Sequence, residues 1–295
     1  MKDINGTRLW TALITPMNED GSIDYQTLKE LCEQQNEAGN GILVLGSTAE
    51  ALNLNTDEKK RIFEYVPSLN LNVPLMAGIG GINLDSTIED INYLNNLNYD
   101  CYLLVTPLYA KPGEKGQTHW FHSLLERSNK PCMLYNVPGR TGCSLNLQTV
   151  SSLKNHPNFW AIKEASGSPI DFEKYVKASS PKLVYSGDDA MLVNYSPLGC
   201  KGLVSVASNC WPKQTHLYTN LALSNELQDD HKWATWSNNL FLASNPVPVK
   251  SLMHHLGVIK SPNCRAPLNH GDMEHIDTLI QSSNEVTSWY QQKNI

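Results

Sequence analysis

The sequence lacks the features that are typical of membrane proteins, secreted proteins and nucleic-acid-binding proteins. None of its apolar runs approaches the ~18 residues that a membrane-spanning helix requires. The first residues, MKDINGTRLW, lack the apolar stretch of a signal peptide. Basic residues are the minority, with 23 Lys and Arg against 29 Asp and Glu and a net charge of -6, which argues against a nucleic-acid partner. We therefore expect a cytoplasmic location.

Paired cysteines, a dinucleotide-binding motif and a metal-ligand set are also absent. The seven cysteines are scattered, and no C-x-x-C occurs, so we expect reduced thiols. GIGGIN at 78–83 only approximates the G-x-G-x-x-G motif. His119 and His122 are three residues apart, and His254 and His255 are adjacent, but neither pair comes with further ligands. We expect neither a cofactor nor a metal, and chelators should leave the activity intact.

Eight short apolar segments rich in β-branched residues recur along the first three quarters of the chain. They cover residues 11–16, 41–47, 73–80, 101–107, 131–138, 159–166, 182–188 and 201–208. The segments between them have helical patterns: 22–39 carries an apolar stripe and stops at Gly39, and 55–69 opens with Thr56. This alternation predicts an α/β fold, a (β/α)8 barrel, more than a doubly wound sheet.

The strand pattern stops after about residue 225. The remaining sequence has three segments with helical patterns, which begin near residues 226, 247 and 271. We therefore predict a catalytic barrel domain over residues 1–225 and a C-terminal helical subdomain over residues 226–295, packed on the barrel.

A lysine lies in the middle of one strand-like segment, WAIKEASG at 160–167. Because side chains alternate along a strand, Lys163 shares one face with two alanines, and Trp160 and Ile162 share the other. The small neighbours suit the barrel interior, where a desolvated lysine has a lowered pKa and becomes a nucleophile that forms Schiff bases with ketones. The alternatives are that Lys163 extends to solvent or pairs with the adjacent glutamate.

Polar side chains follow several other predicted strands, at the end of a barrel where active sites lie. Tyr135 carries a hydroxyl suited to proton transfer, and Ser47, Thr48 and Tyr109 are placed to extend a proton relay. Arg140 lies in a Pro-Gly-Arg-Thr-Gly loop, and its guanidinium suits a carboxylate. Each residue has an ordinary alternative: tyrosines pack in strands, Ser-Thr caps helices, and arginines are common on surface turns.

Six motifs together resemble the dihydrodipicolinate synthase family, a branch of the pyruvate-dependent class I aldolases. They are GSTAE (46–50), TPLYAKP (106–112), YNVPGRTG (135–142), IKEASG (162–167), SGDD (186–189) and SNPVPVK (244–250). IKEASG marks only the wider superfamily, whereas the arginine of YNVPGRTG marks the synthase branch. The resemblance runs along nearly the whole chain.

The resemblance implies a lyase that condenses pyruvate with L-aspartate-4-semialdehyde, in the first committed step of diaminopimelate and lysine biosynthesis. It implies no cofactor and a homotetramer built as a dimer of dimers. The implied roles are Schiff-base formation for Lys163, proton transfer for Tyr135, Ser47 and a neighbouring subunit's Tyr109, pyruvate binding for Thr48 and the backbone around Val204, semialdehyde binding for Arg140, and pocket shaping for Gly187.

The sequence departs from the family pattern in two places. Ser47 and Ala49 replace residues that are threonine and glycine in many members, and Ala49 requires a backbone angle that accepts a Cβ atom. Lysine-inhibited members carry two histidines, a glutamate and a tyrosine at the positions of Thr56, Lys59, Thr87 and Leu108. We therefore expect weak or absent inhibition by lysine.

Two other functions stay open at this point. A related aldolase, N-acetylneuraminate lyase or a keto-deoxy sugar acid aldolase, would share Lys163 and Tyr135 but would not need Arg140. A catalytically silent binding barrel would be favoured by the loss of Lys163 or Tyr135, and both residues are present.

Overall fold

Eight parallel strands close into a barrel in the computed structural model, which describes residues 2–227 and 231–293. Each strand pairs with the next one along the chain, and the last pairs with the first. The strands are β1 (Leu9–Ala12), β2 (Gly41–Val44), β3 (Leu75–Ile79), β4 (Cys101–Val105), β5 (Cys132–Asn136), β6 (Phe159–Glu164), β7 (Leu183–Ser186) and β8 (Leu203–Ser205). The predicted (β/α)8 barrel is confirmed.

Helices follow every strand and form the outer layer. Those of the barrel are α1 (Tyr25–Ala38), α2 (Thr56–Ser68), α3 (Leu84–Leu94), α4 (Glu114–Arg127), α5 (Pro138–Thr141), α6 (Leu147–Leu153), α7 (Pro169–Ser179), α8 (Leu192–Tyr195) and α9 (Pro212–Leu223). α1 ends at Gly39, whose φ of 75° is left-handed, as the sequence predicts. α2 begins at Thr56, and the Asn55 side chain caps it by accepting the Glu58 N–H.

The first strand begins two residues earlier than the predicted segment and ends sooner. The N–H of Leu13 still donates to the Leu43 carbonyl of β2 (3.1 Å). The ladder ends there, because the N–H of Ile14 donates to the side chain of Asn209 (3.0 Å) instead of to a neighbouring strand. A side chain nearly 200 positions away in the sequence therefore sets this boundary, and no local pattern shows it.

The predicted orientation of Trp160 is wrong. Cys132 pairs with Phe159 and Met133 pairs with Ala161, so the register of β6 against β5 skips Trp160. This bulge breaks the alternation of side chains. The Trp160 ring packs against Trp10 (6.2 Å between ring centroids), which belongs to the barrel interior. Beyond the bulge the alternation resumes: Ile162 packs in the hydrophobic layer between the barrel and the helices, and Ala161 faces the barrel interior.

Within the described residues, three α-helices follow the barrel: α10 (His231–Asn239), α11 (Val247–His255) and α12 (Ile276–Lys293). Aromatic rings join α10 to the barrel and to α12, with Trp233 stacked on Tyr218 of α9 at 4.1 Å and in contact with Trp289 of α12 at 5.5 Å. None of the helices in the described ranges has the length and apolar character to cross a bilayer. The domain boundary at residue 225 stays a prediction.

Candidate active site

Lys163 lies inside the barrel near the carboxyl end of β6. Only 4% of its surface is exposed, so it does not extend to solvent. The neighbouring Glu164 is not its partner, because that carboxylate accepts hydrogen bonds from Asn136 Nδ2 (2.8 Å) and the Ser166 N–H. The Nζ atom lies 4.3 Å from the centroid of the Tyr135 ring on β5. The structure therefore leaves the lysine amine beside a phenol, in a dry environment.

Burial lowers the pKa of Lys163 from 10.5 to about 7. Desolvation is the main cause, because the ammonium form loses its water. The positive charge of Arg140 acts in the same direction, and the carboxylate of Asp189 opposes both. Near neutral pH a large fraction of the protein consequently holds an uncharged amine, which is the form that attacks a carbonyl carbon.

Tyr135 has the opposite shift. Burial raises its pKa from 10.0 to about 12, although the Arg140 charge and a hydrogen bond with the Ser47 hydroxyl partly oppose this. The phenol therefore stays protonated at neutral pH and can donate a proton to an oxygen that leaves the substrate. The two shifts place a neutral base and a neutral acid side by side.

Gly187, directly after β7, leaves the room that the lysine side chain occupies. A Cβ atom at this position would lie 2.7 Å from Cε of Lys163 and 2.8 Å from Cβ of Ala165. Both distances are far inside van der Waals contact. The close approach of Lys163 and Ala165 therefore requires glycine here, and the pocket-shaping role that the resemblance implies stays a prediction.

The Ser-Thr pair lies on a short 3-10 turn, Ser47–Ala49, after β2. Thr48 is buried, and its Oγ1 accepts a hydrogen bond from Nδ2 of Asn245 (3.0 Å). The left-handed residues at this turn are Leu45 and Glu50, with φ of 56° and 58°, while Ala49 is not among them. The alanine that replaces the family's glycine is thus accommodated without backbone strain.

A cavity of about 330 Å³ opens at this end of the barrel, with Ser47, Tyr135 and Arg140 in its wall. Arg140, in α5, donates from Nη2 to the backbone carbonyl of Asn245 (3.3 Å) and is otherwise exposed. Val204 is buried in β8, within the interior cluster. The structure therefore brings seven of the eight predicted site residues to one end of the barrel.

Tyr109 is the eighth, and it stands apart. It is 87% exposed, and its backbone has a left-handed φ of 63°. This conformation is unfavourable for a residue with a Cβ atom. Within the described chain, no hydrogen bond joins the Tyr109 hydroxyl to Ser47 or Tyr135. A single chain therefore does not assemble the complete relay that the sequence predicts.

Sequence reasoning missed Asp189, whose carboxylate acts electrostatically on the Lys163 amine. It is fully buried, and its carboxylate accepts the Ser205 hydroxyl and the N–H of Val206 (2.8 Å). Desolvation raises its pKa to about 6. The SGDD motif signalled the position, but a pair of acidic residues after a strand ordinarily suggests a helix cap. Here only Asp188 makes a local bond, to the N–H of Ala190.

Two further contacts come from the segment before and within α11. Asn245 reaches Thr48, and the fully buried Lys250 donates to Glu50 (2.5 Å) at the end of the same turn. The SNPVPVK motif was the available signal, although nothing in it shows which loop it contacts.

As for metals, residues 2–227 and 231–293 contain no group of three or more His, Cys, Asp or Glu side chains placed to hold an ion.

Comparisons with known proteins agree with this geometry. Residues 5–284 match the model of the dihydrodipicolinate synthetase family. The 4-hydroxy-tetrahydrodipicolinate synthase of Francisella philomiragia is 44% identical over 290 residues, with 98% of each chain covered. A pyruvate-complexed dihydrodipicolinate synthase from Acinetobacter baumannii superimposes with a TM-score of 0.88 at 31% identity, covering 95% of this chain and 99% of that one. The structure of a monomeric dihydrodipicolinate synthase variant gives a TM-score of 0.90 at 27% identity, covering 96% of this chain and 97% of that one.

Proposed function

The chain belongs to the dihydrodipicolinate synthetase family, and we propose that Lys163 carries its reaction, the condensation of pyruvate with L-aspartate-4-semialdehyde to 4-hydroxy-tetrahydrodipicolinate. The enzyme is a lyase of diaminopimelate and lysine biosynthesis. The observation that carries the proposal is the buried Lys163 amine, with a pKa of about 7, 4.3 Å from the Tyr135 ring.

The first steps follow from these two groups. The neutral Lys163 amine adds to the keto carbon of pyruvate and forms a C–N bond. Tyr135 protonates the resulting hydroxyl, which leaves as water, and the C=N bond of the Schiff base forms. The Tyr135 phenolate then accepts a methyl proton, which gives an enamine. The enamine carbon attacks the aldehyde of the second substrate, and Tyr135 returns the proton to the aldehyde oxygen. The substrate's own amine then displaces Lys163 from the imine carbon and closes the ring.

The remaining site residues bind and orient the two acids. Thr48, with the backbone around Val204, binds the pyruvate carboxylate, and Ser47 passes protons to and from Tyr135. Arg140 binds the carboxylate of the semialdehyde, and its position in the cavity wall supports this role. Gly187 keeps the space for the lysine side chain.

Tyr109 acts in the site of a neighbouring subunit. Its high exposure and left-handed backbone support this role, and so do the exposed side chains of Leu52 and Ile82 after β2 and β3. The assembly is a homotetramer, a dimer of dimers. Sedimentation should give a tetramer, and Tyr109→Phe should lower kcat. A monomeric variant exists among the related structures, and a fully active monomer of this chain would contradict the assignment.

Inhibition by lysine is weak or absent. Thr56, Lys59 and Leu108 line the cavity, where the ammonium of Lys59 would repel a cationic ligand. Thr87 supplies no carboxylate, and its hydroxyl donates to the Asn83 carbonyl (2.7 Å). Activity should therefore be unchanged by millimolar lysine, and a sharp fall at submillimolar lysine would refute the proposal.

The cytoplasm is the proposed location of the enzyme.

The substrate assignment is tested by offering alternative substrates. Turnover with pyruvate and L-aspartate-4-semialdehyde should exceed cleavage of N-acetylneuraminate and keto-deoxy sugar acids by orders of magnitude. Arg140→Ala should raise the KM of the semialdehyde far more than that of pyruvate. Preferential cleavage of a sugar acid would overturn the assignment while leaving the Schiff base intact.

A further inference from the structure

Asn245 contacts two of the proposed substrate-binding residues at once. Its side-chain Nδ2 donates to Oγ1 of Thr48 (3.0 Å), and its backbone carbonyl accepts from Nη2 of Arg140 (3.3 Å). It lies immediately before Pro246 and α11, almost 200 residues from Thr48 in the chain. One residue of the C-terminal helical region thus reaches the machinery proposed for both carboxylates.

We propose that Asn245 is a positioning residue for pyruvate: its amide orients the Thr48 hydroxyl so that the O–H donates to the bound carboxylate. A threonine hydroxyl has one donor and two acceptor lone pairs. The amide N–H occupies one lone pair, and a donor facing the oxygen forces the hydroxyl proton to point elsewhere. No acceptor within residues 2–227 and 231–293 takes that proton. The inference rests on the proposed role of Thr48.

A second observation indicates that this arrangement is not simply the most stable one. Asn245 is only 5% exposed, and its Oδ1 atom is buried without a hydrogen-bond partner. A buried, unpaired carbonyl is unfavourable, and such atoms are rare in folded proteins. The orphan acceptor is consistent with a residue retained for the direction of its amide N–H and not for its contribution to folding.

The attachment of the C-terminal region to the turn after β2 does not depend on Asn245. Lys250 of α11 forms a fully buried ion pair with Glu50 (2.5 Å), and Glu50 also accepts the N–H of Arg265. Thr15 donates to the carbonyl of Ala49 (2.8 Å) from the barrel side. Because these contacts hold the turn, replacing the Asn245 side chain should leave it in place.

The decisive variant is Asn245→Leu, which keeps the number of side-chain heavy atoms and their branching at Cγ and removes both polar atoms. Its thermal stability should equal or exceed that of the unmodified protein, because the unpaired Oδ1 is gone. The KM of pyruvate should rise about tenfold or more, the usual effect of weakening a hydrogen bond to a charged group. We expect kcat to change little, since the lost contact serves the substrate and the transition state alike.

The KM of the semialdehyde should stay within about twofold, because Arg140 uses the backbone carbonyl of residue 245, which the variant retains. Asn239→Leu is the matched control: its Nδ2 also donates to a hydroxyl, that of Ser282 (2.9 Å), in the same C-terminal region. It should leave both KM values unchanged. Asn245→Ala serves as a second variant with the same expected change in the KM of pyruvate.

Thr48→Val separates this inference from the proposed function. Thr48→Val should raise the KM of pyruvate by itself, and adding Asn245→Leu should then have no further effect, because both changes remove one interaction. An unchanged KM in Thr48→Val would disprove the role of Thr48. Suppose instead that the KM of pyruvate rises in Thr48→Val. Asn245 is then not a positioning residue if Asn245→Leu alone leaves the KM of pyruvate unchanged or raises the KM of both substrates equally. The same conclusion follows if Asn245→Leu adds its full effect to that of Thr48→Val in the double variant.

Discussion

Replacing Gly187 by alanine should disable the enzyme through a single methyl group. The added Cβ would lie 2.7 Å from Cε of Lys163 and 2.8 Å from Cβ of Ala165. Carbon atoms in contact are normally about 3.5–4.0 Å apart, so the lysine side chain must move by about 1 Å. Ala165 cannot yield by changing rotamer, because its Cβ is fixed to the backbone of the residue that follows β6.

A displacement of that size matters because the amine must meet the keto carbon in an attacking geometry. Misplacement by about 1 Å costs roughly 100-fold in rate, so kcat/KM for pyruvate in Gly187→Ala should fall by about that factor. Overpacking should lower the free energy of unfolding by about 1–3 kcal/mol, too little to unfold a domain of ordinary stability. Steady-state kinetics and urea denaturation measure the two effects separately.

Gly113→Ala is the matched control. A Cβ atom at Gly113 would meet nothing within 4 Å, and its φ of −75° suits any residue. It should leave kcat/KM and stability nearly unchanged. If Gly187→Ala formed the pyruvate adduct and turned over at the rate of the unmodified enzyme, the close packing around Lys163 would not be what positions the amine.

Four further predictions concern buried polar groups. Lys250→Met should lower the free energy of unfolding in urea by about 3–5 kcal/mol, because it leaves the Glu50 carboxylate buried without its partner; a loss below 1 kcal/mol would contradict this. In the pH profile, kcat/KM should fall as pH decreases through about 7, where Lys163 gains its proton. Asp189→Asn removes the charge that raises this pKa, so the acid limb should move to lower pH, and a shift to higher pH would refute the coupling. Tyr135→Phe should lower kcat by roughly 100-fold or more with the fold intact, and near-normal turnover would exclude the phenol as the proton donor.

The sequence alone predicted the architecture well, because a barrel repeats one local pattern. Each strand is a short apolar run between helical segments, and neighbours along the chain are neighbours in space. Lys163 was equally accessible to local reasoning, since two small side chains share its face of the strand. These neighbours predict that it faces the barrel interior, although the room for its side chain also depends on Gly187 after β7.

The prediction that failed and the residues that were overlooked depend on contacts that local sequence patterns do not encode. The bulge that turns Trp160 inward arises from the register between β5 and β6, and a period of two residues cannot reveal it. Asp189 looks like a helix cap until the loop after β8 is seen to bind it. Asn245 and Lys250 reach the turn after β2 across 197 and 200 residues, a pairing that no spacing in one sequence specifies.

We expect the buried amine of Lys163 to capture pyruvate in its uncharged form, and borohydride reduction tests this step. The protein is reduced with pyruvate present over a range of pH, and its peptides are analysed by mass spectrometry. Lys250, also fully buried but paired with Glu50, is the internal control. We expect a reduced pyruvyl adduct on Lys163 alone, with a yield that rises through about pH 7. An adduct on another lysine, or none at any pH, would contradict this expectation.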